Sequence, residues 1–183
     1  MSMLISTIGH STRSLEDLLR LLRVYGIGQL VDIRTIPKSR HNPQFNRETL
    51  AAGAETAGIR YRHIPALGGL RHARPDSVNT AWRNASFRGY ADYMQTAEFE
   101  EGLKELIDLA AKAPAAIMCA EAVHWRCHRS LVADALAARG IAVQHIQSEA
   151  RAQPHSLTPF AKVVGTSVTY PGEQEKLPLF DAV

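Results

Sequence analysis

The sequence predicts a single-domain α/β fold: three α/β/α layers, a mostly parallel, Rossmann-like sheet of about five strands, and an irregular C-terminal extension. Three observations lead there. Strand-like and helix-like segments alternate over residues 1–150, the 183 residues suit one hydrophobic core, and proline and glycine punctuate the chain over 151–183. Leu4 to Gly9 reads as the first strand, and Ser14-Leu15-Glu16-Asp17 then opens a helix with a serine as N-cap and an acid at the third helical position. Leu15, Leu18, Leu19, Leu22 and Tyr25 form its apolar stripe, which Gly26 and Gly28 stop. Gln29 to Ile33 is a second strand, Arg34 to Asn46 a basic loop, Arg47 to Ala57 a helix ended by Gly58, and Ile59 to Ile64 a third strand. Pro65 to Gly89 has no clear period, as functional loops and short helices often lack one. The helical pattern resumes from Tyr90 to Lys112. Ala115 to Cys119 is a fourth strand, Cys127 or His128 to Arg139 a helix closed by Gly140, and Ile141 to Ile146 a fifth strand. Residues 151–183 carry a short hairpin pattern around Val163 to Tyr170.

Composition is that of an ordinary globular chain, 45% apolar and 21% charged, and a domain of this size needs neither disulfide nor metal in order to fold. Its longest apolar stretch, Ala113 to Ala120, falls far short of the ~18 residues of a membrane span. The N-terminus lacks the basic region of a secretion signal, so we expect a cytoplasmic address, no membrane partner, and two cysteines present as thiols. The net charge of +3 is unevenly spread: residues 34–88 hold ten lysines and arginines against three acids. Most of that charge is arginine, whose planar fork grips phosphate and carboxylate, although such charges are also common on solvated loops.

In a parallel sheet, ligands bind outside the carboxyl ends of the strands. The segments that follow the strands here are Gly9 to Arg13, Asp32 to Arg34, His63 to Gly69, Cys119 to Glu121, and Gln147 to Glu149, which together hold most of the chemically capable residues.

Several of these segments carry a family likeness. Thr7-Ile8-Gly9-His10-Ser11-Thr12-Arg13, Val31-Asp32-Ile33-Arg34 with Pro37, Asn42-Pro43-Gln44-Phe45, Leu67-Gly68-Gly69, Phe87-Arg88-Gly89-Tyr90, and Cys119-Ala120-Glu121 through Cys127-His128-Arg129 closely resemble the domain-of-unknown-function family 488 over about residues 3–150. The resemblance implies a compact α/β domain and marks a site without naming a reaction.

Cys119-x-Glu121-x-x-His124-x-Arg126-Cys127-His128-Arg129 carries most of the chemical potential. Cys127 falls near a helix N-terminus beside Arg126, His128 and Arg129, surroundings that lower a thiol pKa and favour a nucleophilic thiolate. Cys119, at a strand end, is the other candidate nucleophile. Glu121 is a candidate general acid or base, or a partner that holds Arg34. Both cysteines also fit as small buried hydrophobes. The run is not the Cys-x5-Arg loop of cysteine phosphatases. The spacing C-x4-H-x2-C-H is not a paired zinc spacing, so no metal or other cofactor is expected.

Three further groups complete the candidates. His10, Ser11, Thr12 and Arg13, between a strand and a helix, offer donors to an anion, or simply cap the helix. Asp32 and Arg34, two apart at a strand end, point the same way, so Asp32 can orient Arg34 toward a ligand. The basic loops interleave cations, Arg40 and Arg88 among them, with Phe45, Trp82 and Phe87, a mixture that suits single-stranded nucleic acid unless those rings are core anchors. Near the C-terminus, Gln174, Leu177, Leu179 and Phe180 resemble the short peptides with which bacterial replication and repair proteins dock on the DNA sliding clamp. These features lead first to a cysteine-dependent enzyme acting on nucleic acid, nucleotide or another anion. The alternatives are a non-catalytic nucleic-acid-binding module, repair-associated and clamp-docked, and a thiol-based redox or metal sensor.

Overall fold

A computed structural model describes residues 2–173. Six strands form one sheet: β1 (Leu4–Gly9), β2 (Gln29–Asp32), β3 (Arg60–His63), β4 (Ala115–Cys119), β5 (Ala142–Ser148) and β6 (Arg151–Pro154), in the spatial order β3-β2-β4-β1-β5-β6. The first five are parallel, while β6 runs antiparallel to β5 at the edge. The sheet is thus one strand larger than the alternation of residues 1–150 indicates, because the sixth comes from the segment beyond them.

Side chains alternate across the central strands and sort the core into two layers. Ile5, Val31, Ile117 and Cys119 face one side, beneath α3 (Ala85–Tyr93), α4 (Ala97–Ala110) and α5 (Arg129–Ala137). Ile8, Leu30, Ala116 and Met118 face the other, beneath α1 (Leu15–Val24) and α2 (Arg47–Thr56). The Ser14 side chain caps α1 by accepting from the Asp17 amide. One long helix over Tyr90 to Lys112 is not what forms. Asn84 caps a helix that starts earlier, at Ala85, and Thr96 interrupts the run. The Thr96 hydroxyl donates to the Tyr93 carbonyl and accepts from the Phe99 amide, so it closes α3 and opens α4.

Residues after 154 pair as a hairpin of β7 (Lys162–Val164) and β8 (Ser167–Thr169), with Gly165 at φ 63° in its turn. Tyr170 is fully buried, and its hydroxyl donates to Asp134 of α5 at 2.7 Å. No helix among the described residues is long and apolar enough to cross a membrane.

Candidate functional site

The carboxyl ends of β2 and β4 border a cavity of about 440 Å³. Its polar lining includes Arg34, Glu121, Arg126, Cys119, Cys127 and His128, and Phe87 and Tyr90 form an apolar wall. Ile36 and Leu70, both strongly exposed, stand at the same opening. The structure therefore brings together both cysteines, Glu121, Arg34, Arg126 and His128.

The two thiols differ. Cys119 ends a fully buried strand, and its thiol points at the Glu121 carbonyl at 3.8 Å. Burial, and then the neighbouring Cys127, push it well above the usual cysteine value. Cys127 precedes α5, and its sulfur lies 3.6 Å from His128 Nδ1. His128 Nε2 lies 3.0 Å from the Ile33 carbonyl, which can only accept, so Nε2 carries a hydrogen and Nδ1 is the atom left to face the sulfur. Gly69 leaves room for the ring: a side-chain carbon there would stand 3.1 Å from His128 Nδ1. Burial alone would raise the Cys127 thiol, but the Cys119 thiol, the His128 ring and the Arg129 charge outweigh it and hold it well below the ordinary range. The arrangement favours a thiolate at Cys127 and a neutral thiol at Cys119.

Arg129, expected beside Cys127, lies buried in the core. Only 1% exposed, it donates to Thr7 Oγ1 at 3.3 Å and to the carbonyls of Glu121 and Ala122 at 2.7 and 2.9 Å. Among the described residues its Nε has no partner and no carboxylate lies within ion-pair distance. A buried guanidinium in that state favours an anion beside it, and the Cys127 sulfur is an atom that can supply one.

Sequence reasoning singled out His124 but missed His145 and His155, which pack with it. His145 stacks on His124 with ring centroids 3.6 Å apart, and its Nε2 meets His155 Nδ1 at 2.9 Å. Burial, and then the neighbouring rings and Arg129, hold His145 down to about 2, and burial and Arg129 hold His124 to about 4. Both therefore stay neutral in the fold at pH values where the unfolded chain has already protonated them. Their contribution to stability is complete above about pH 6.5 and is lost as the pH falls below it. Between pH 6.5 and 5, His145 alone is expected to remove at most about 2 kcal/mol; the more exposed His124 acts in the same direction and less. Urea titrations at successive pH values check this, and a flat profile over that range contradicts it.

On the opposite face of the sheet Arg34 is almost fully engaged. Its Nε and Nη2 bind Asp32 at 2.9 and 2.7 Å, and Nη2 also donates to the Phe45 carbonyl. Only Nη1 is left for other partners, 3.5 Å from His10 Nε2. His10 stacks on fully buried Phe45 and donates from Nδ1 to the Ser11 carbonyl. Burial, with Arg34 adding to it, lowers its pKa. Asp32 thus orients Arg34 at the edge of the cavity, and Glu121 makes no ion pair with it.

Other candidates lie elsewhere. Arg13 donates to the carbonyls of Gly9 and Gln147 and ties the ends of β1 and β5 together, away from the cavity. Ser11, at φ 49°, continues the β1 to β4 pairing through its amide, and Thr12 is exposed beside it. Arg88 binds the Trp82 carbonyl, while Arg40 is exposed in the loop after β2. Phe45 and Trp82 pack inward, so of the three loop rings only Phe87 reaches the cavity. Trp125, beside Arg126, is 60% exposed, and its position in a turn rather than a basic loop hid it from the sequence reading. Gln174, Leu177, Leu179 and Phe180 lie outside the described residues. Among those residues, no group of three or more His, Cys, Asp or Glu is arranged to hold a metal ion.

No curated protein and no solved structure matches this chain. The family model for the domain of unknown function DUF488 matches residues 14–136, a span that runs from the cap of α1 through the cavity and most of α5. With more than half of its length matched, the chain belongs to the DUF488 family.

Proposed function

We propose that this protein is a cysteine-dependent enzyme of nucleic-acid or nucleotide metabolism, with Cys127 as its nucleophile. The observation that carries the reading is the Cys127 sulfur 3.6 Å from His128 Nδ1, at the wall of a 440 Å³ cavity that also takes in Arg34 and Arg126. A thiolate is the reactive form of cysteine, and a histidine fixed through its far nitrogen is the usual means of keeping one. Arg126 and the Nη1 hydrogen of Arg34 that does not face His10 suit a phosphate, and the Phe87 wall, with Trp125 next to Arg126, suits a ring. Glu121, lining the same cavity, is placed to exchange a proton with a substrate or leaving group. A cytoplasmic address, where thiols stay reduced, fits two unpaired cysteines.

The test is the alkylation rate of each cysteine against pH, resolved by peptide mass spectrometry, with and without a single-stranded oligonucleotide or a mononucleotide at low salt. Cys127 is expected to titrate well below about 8.5, to be protected by the nucleotide, and to lose its label in the Cys127→Ser variant while Cys119 stays slow. Two slow thiols in a chain that still binds the oligonucleotide would replace this reading with that of a non-catalytic binding module.

A further inference from the structure

The unpaired guanidinium of Arg129 has a distant counter-charge. Asp134 is fully buried five residues further along α5 and accepts from His155 Nε2 at 2.8 Å, from the Thr158 amide and hydroxyl at 3.0 and 2.6 Å, and from Tyr170 at 2.7 Å. Starting from that carboxylate, each hydrogen bond fixes the next. His155 donates from Nε2, and its Nδ1 meets His145 Nε2, which donates to it. His145 Nδ1 then accepts from the Thr7 hydroxyl at 2.7 Å, whose oxygen in turn accepts from Arg129 Nη1 at 3.3 Å. All four steps point the same way, from the buried cation to the buried anion, and successive polarised bonds strengthen one another.

We propose that Thr7, His145, His155 and Asp134 are positioning residues that hold Arg129 against the Cys127 site, and that the segment 151–170, which supplies His155, Thr158 and Tyr170, is a working part of that site. The alternative is that the four residues only fill the core. Two observations favour the relay. Arg129 Nη2 grips the carbonyls of Glu121 and Ala122, the loop that joins the two cysteines, so a shift of the guanidinium shifts that loop. The network also spends two histidines, a threonine, an aspartate and a tyrosine on polar contacts in a region where apolar packing would be simpler, which is common where a charge must be held in place.

This inference rests on Cys127 being the reactive thiol, and the experiment separates the two. The Cys127 sulfur is faced by Cys119 at the end of β4, Tyr90 of α3 and His124 of the preceding turn. His128 and Arg129 face it from its own stretch, and Arg34, Glu121 and Arg126 share the cavity. None of those groups is altered in Thr7→Val, which removes one hydroxyl from a fully buried position and keeps the side-chain shape. The pH midpoint of Cys127 alkylation in the full chain is expected to rise by about one unit in Thr7→Val, roughly a tenfold slower reaction at pH values below the wild-type midpoint, and to return in Thr7→Ser. His155→Leu, with the changed residue in the extension, is expected to move it the same way. A Thr7→Val midpoint unchanged or lower, in a chain whose wild type has a low one, overturns the relay alone. An ordinary midpoint in the wild type overturns the reading on which it rests. Should either variant unfold, slow alkylation of Cys119 is lost as well, and the measurement then passes to Tyr170→Phe, which removes one donor to Asp134 and is expected to raise the midpoint by a smaller step; no rise there overturns the relay.

Discussion

Asp32→Ala is expected to lower folding stability by about 3–5 kcal/mol, the usual loss when one member of a buried, hydrogen-bonded ion pair is removed. Asp32 is fully buried and accepts four hydrogen bonds: from the Arg34 amide at 3.1 Å, from Arg34 Nε and Nη2, and from the Tyr61 hydroxyl at 2.6 Å. Without it, a guanidinium only 7% exposed keeps its charge beside His10 and Phe45, and no other carboxylate pairs with it among the described residues. Coulomb attraction is not the main part of the loss; desolvating an unmatched cation is. Tyr61→Phe removes a single donor and is expected to cost about 1 kcal/mol. Urea denaturation of the two variants checks the ratio. Near-equal, small losses would mean that Arg34 swings into the cavity and finds water there, so that Asp32 orients the arginine without being needed to neutralise it.

The parts of this architecture that depend on neighbours in sequence were legible. The Ser14 cap, the stripe of α1 and the stop at Gly26, which takes φ 65°, need only local spacing. The pairing of Asp32 with Arg34 was legible for the same reason, since residues two apart on a strand share a face. The orientation of the cysteines was not, because eight residues can close in many ways, and it is the Ile33 carbonyl, a contact across 95 positions, that turns His128 toward Cys127. The Thr7 to His145 bond spans 138 positions, and neither residue stands out in strands that carry other polar members, Ser6 in one and Gln144 and Gln147 in the other. Phe45 looked available for a base and is instead the surface on which His10 stacks. Thr96 was passed over because a threonine inside a helical period has no visible mark of being a cap until the chain turns there.

The second large effect is expected at Gly9. A side-chain carbon at this position would fall on the carbonyl of Glu121 and crowd the Cα of Ala122. Those neighbours are backbone, so no rotamer change relieves the clash. They are also fixed: His10 and Ser11 continue the ladder to the carbonyls of Cys119 and Ala120 at 2.9 and 3.0 Å. Gly9→Ala is therefore expected to cost about 3 kcal/mol, the upper end of the usual range for overpacking. It should also do more than destabilise. The Glu121 carbonyl accepts from Arg129 at 2.7 Å and from the Cys119 thiol at 3.8 Å, so the added methyl group pushes aside the one atom that holds both. Gly28→Ala is the control, because its nearest neighbour is an alanine side-chain carbon at 3.3 Å, far from the cavity. With stability matched by a stabilising osmolyte, Gly28→Ala should keep a fast Cys127, whereas Gly9→Ala should alkylate slowly at neutral pH. Equal rates in the two would mean that the close approach of β1 to the Glu121 carbonyl serves packing alone, and that Arg129 holds its place without it.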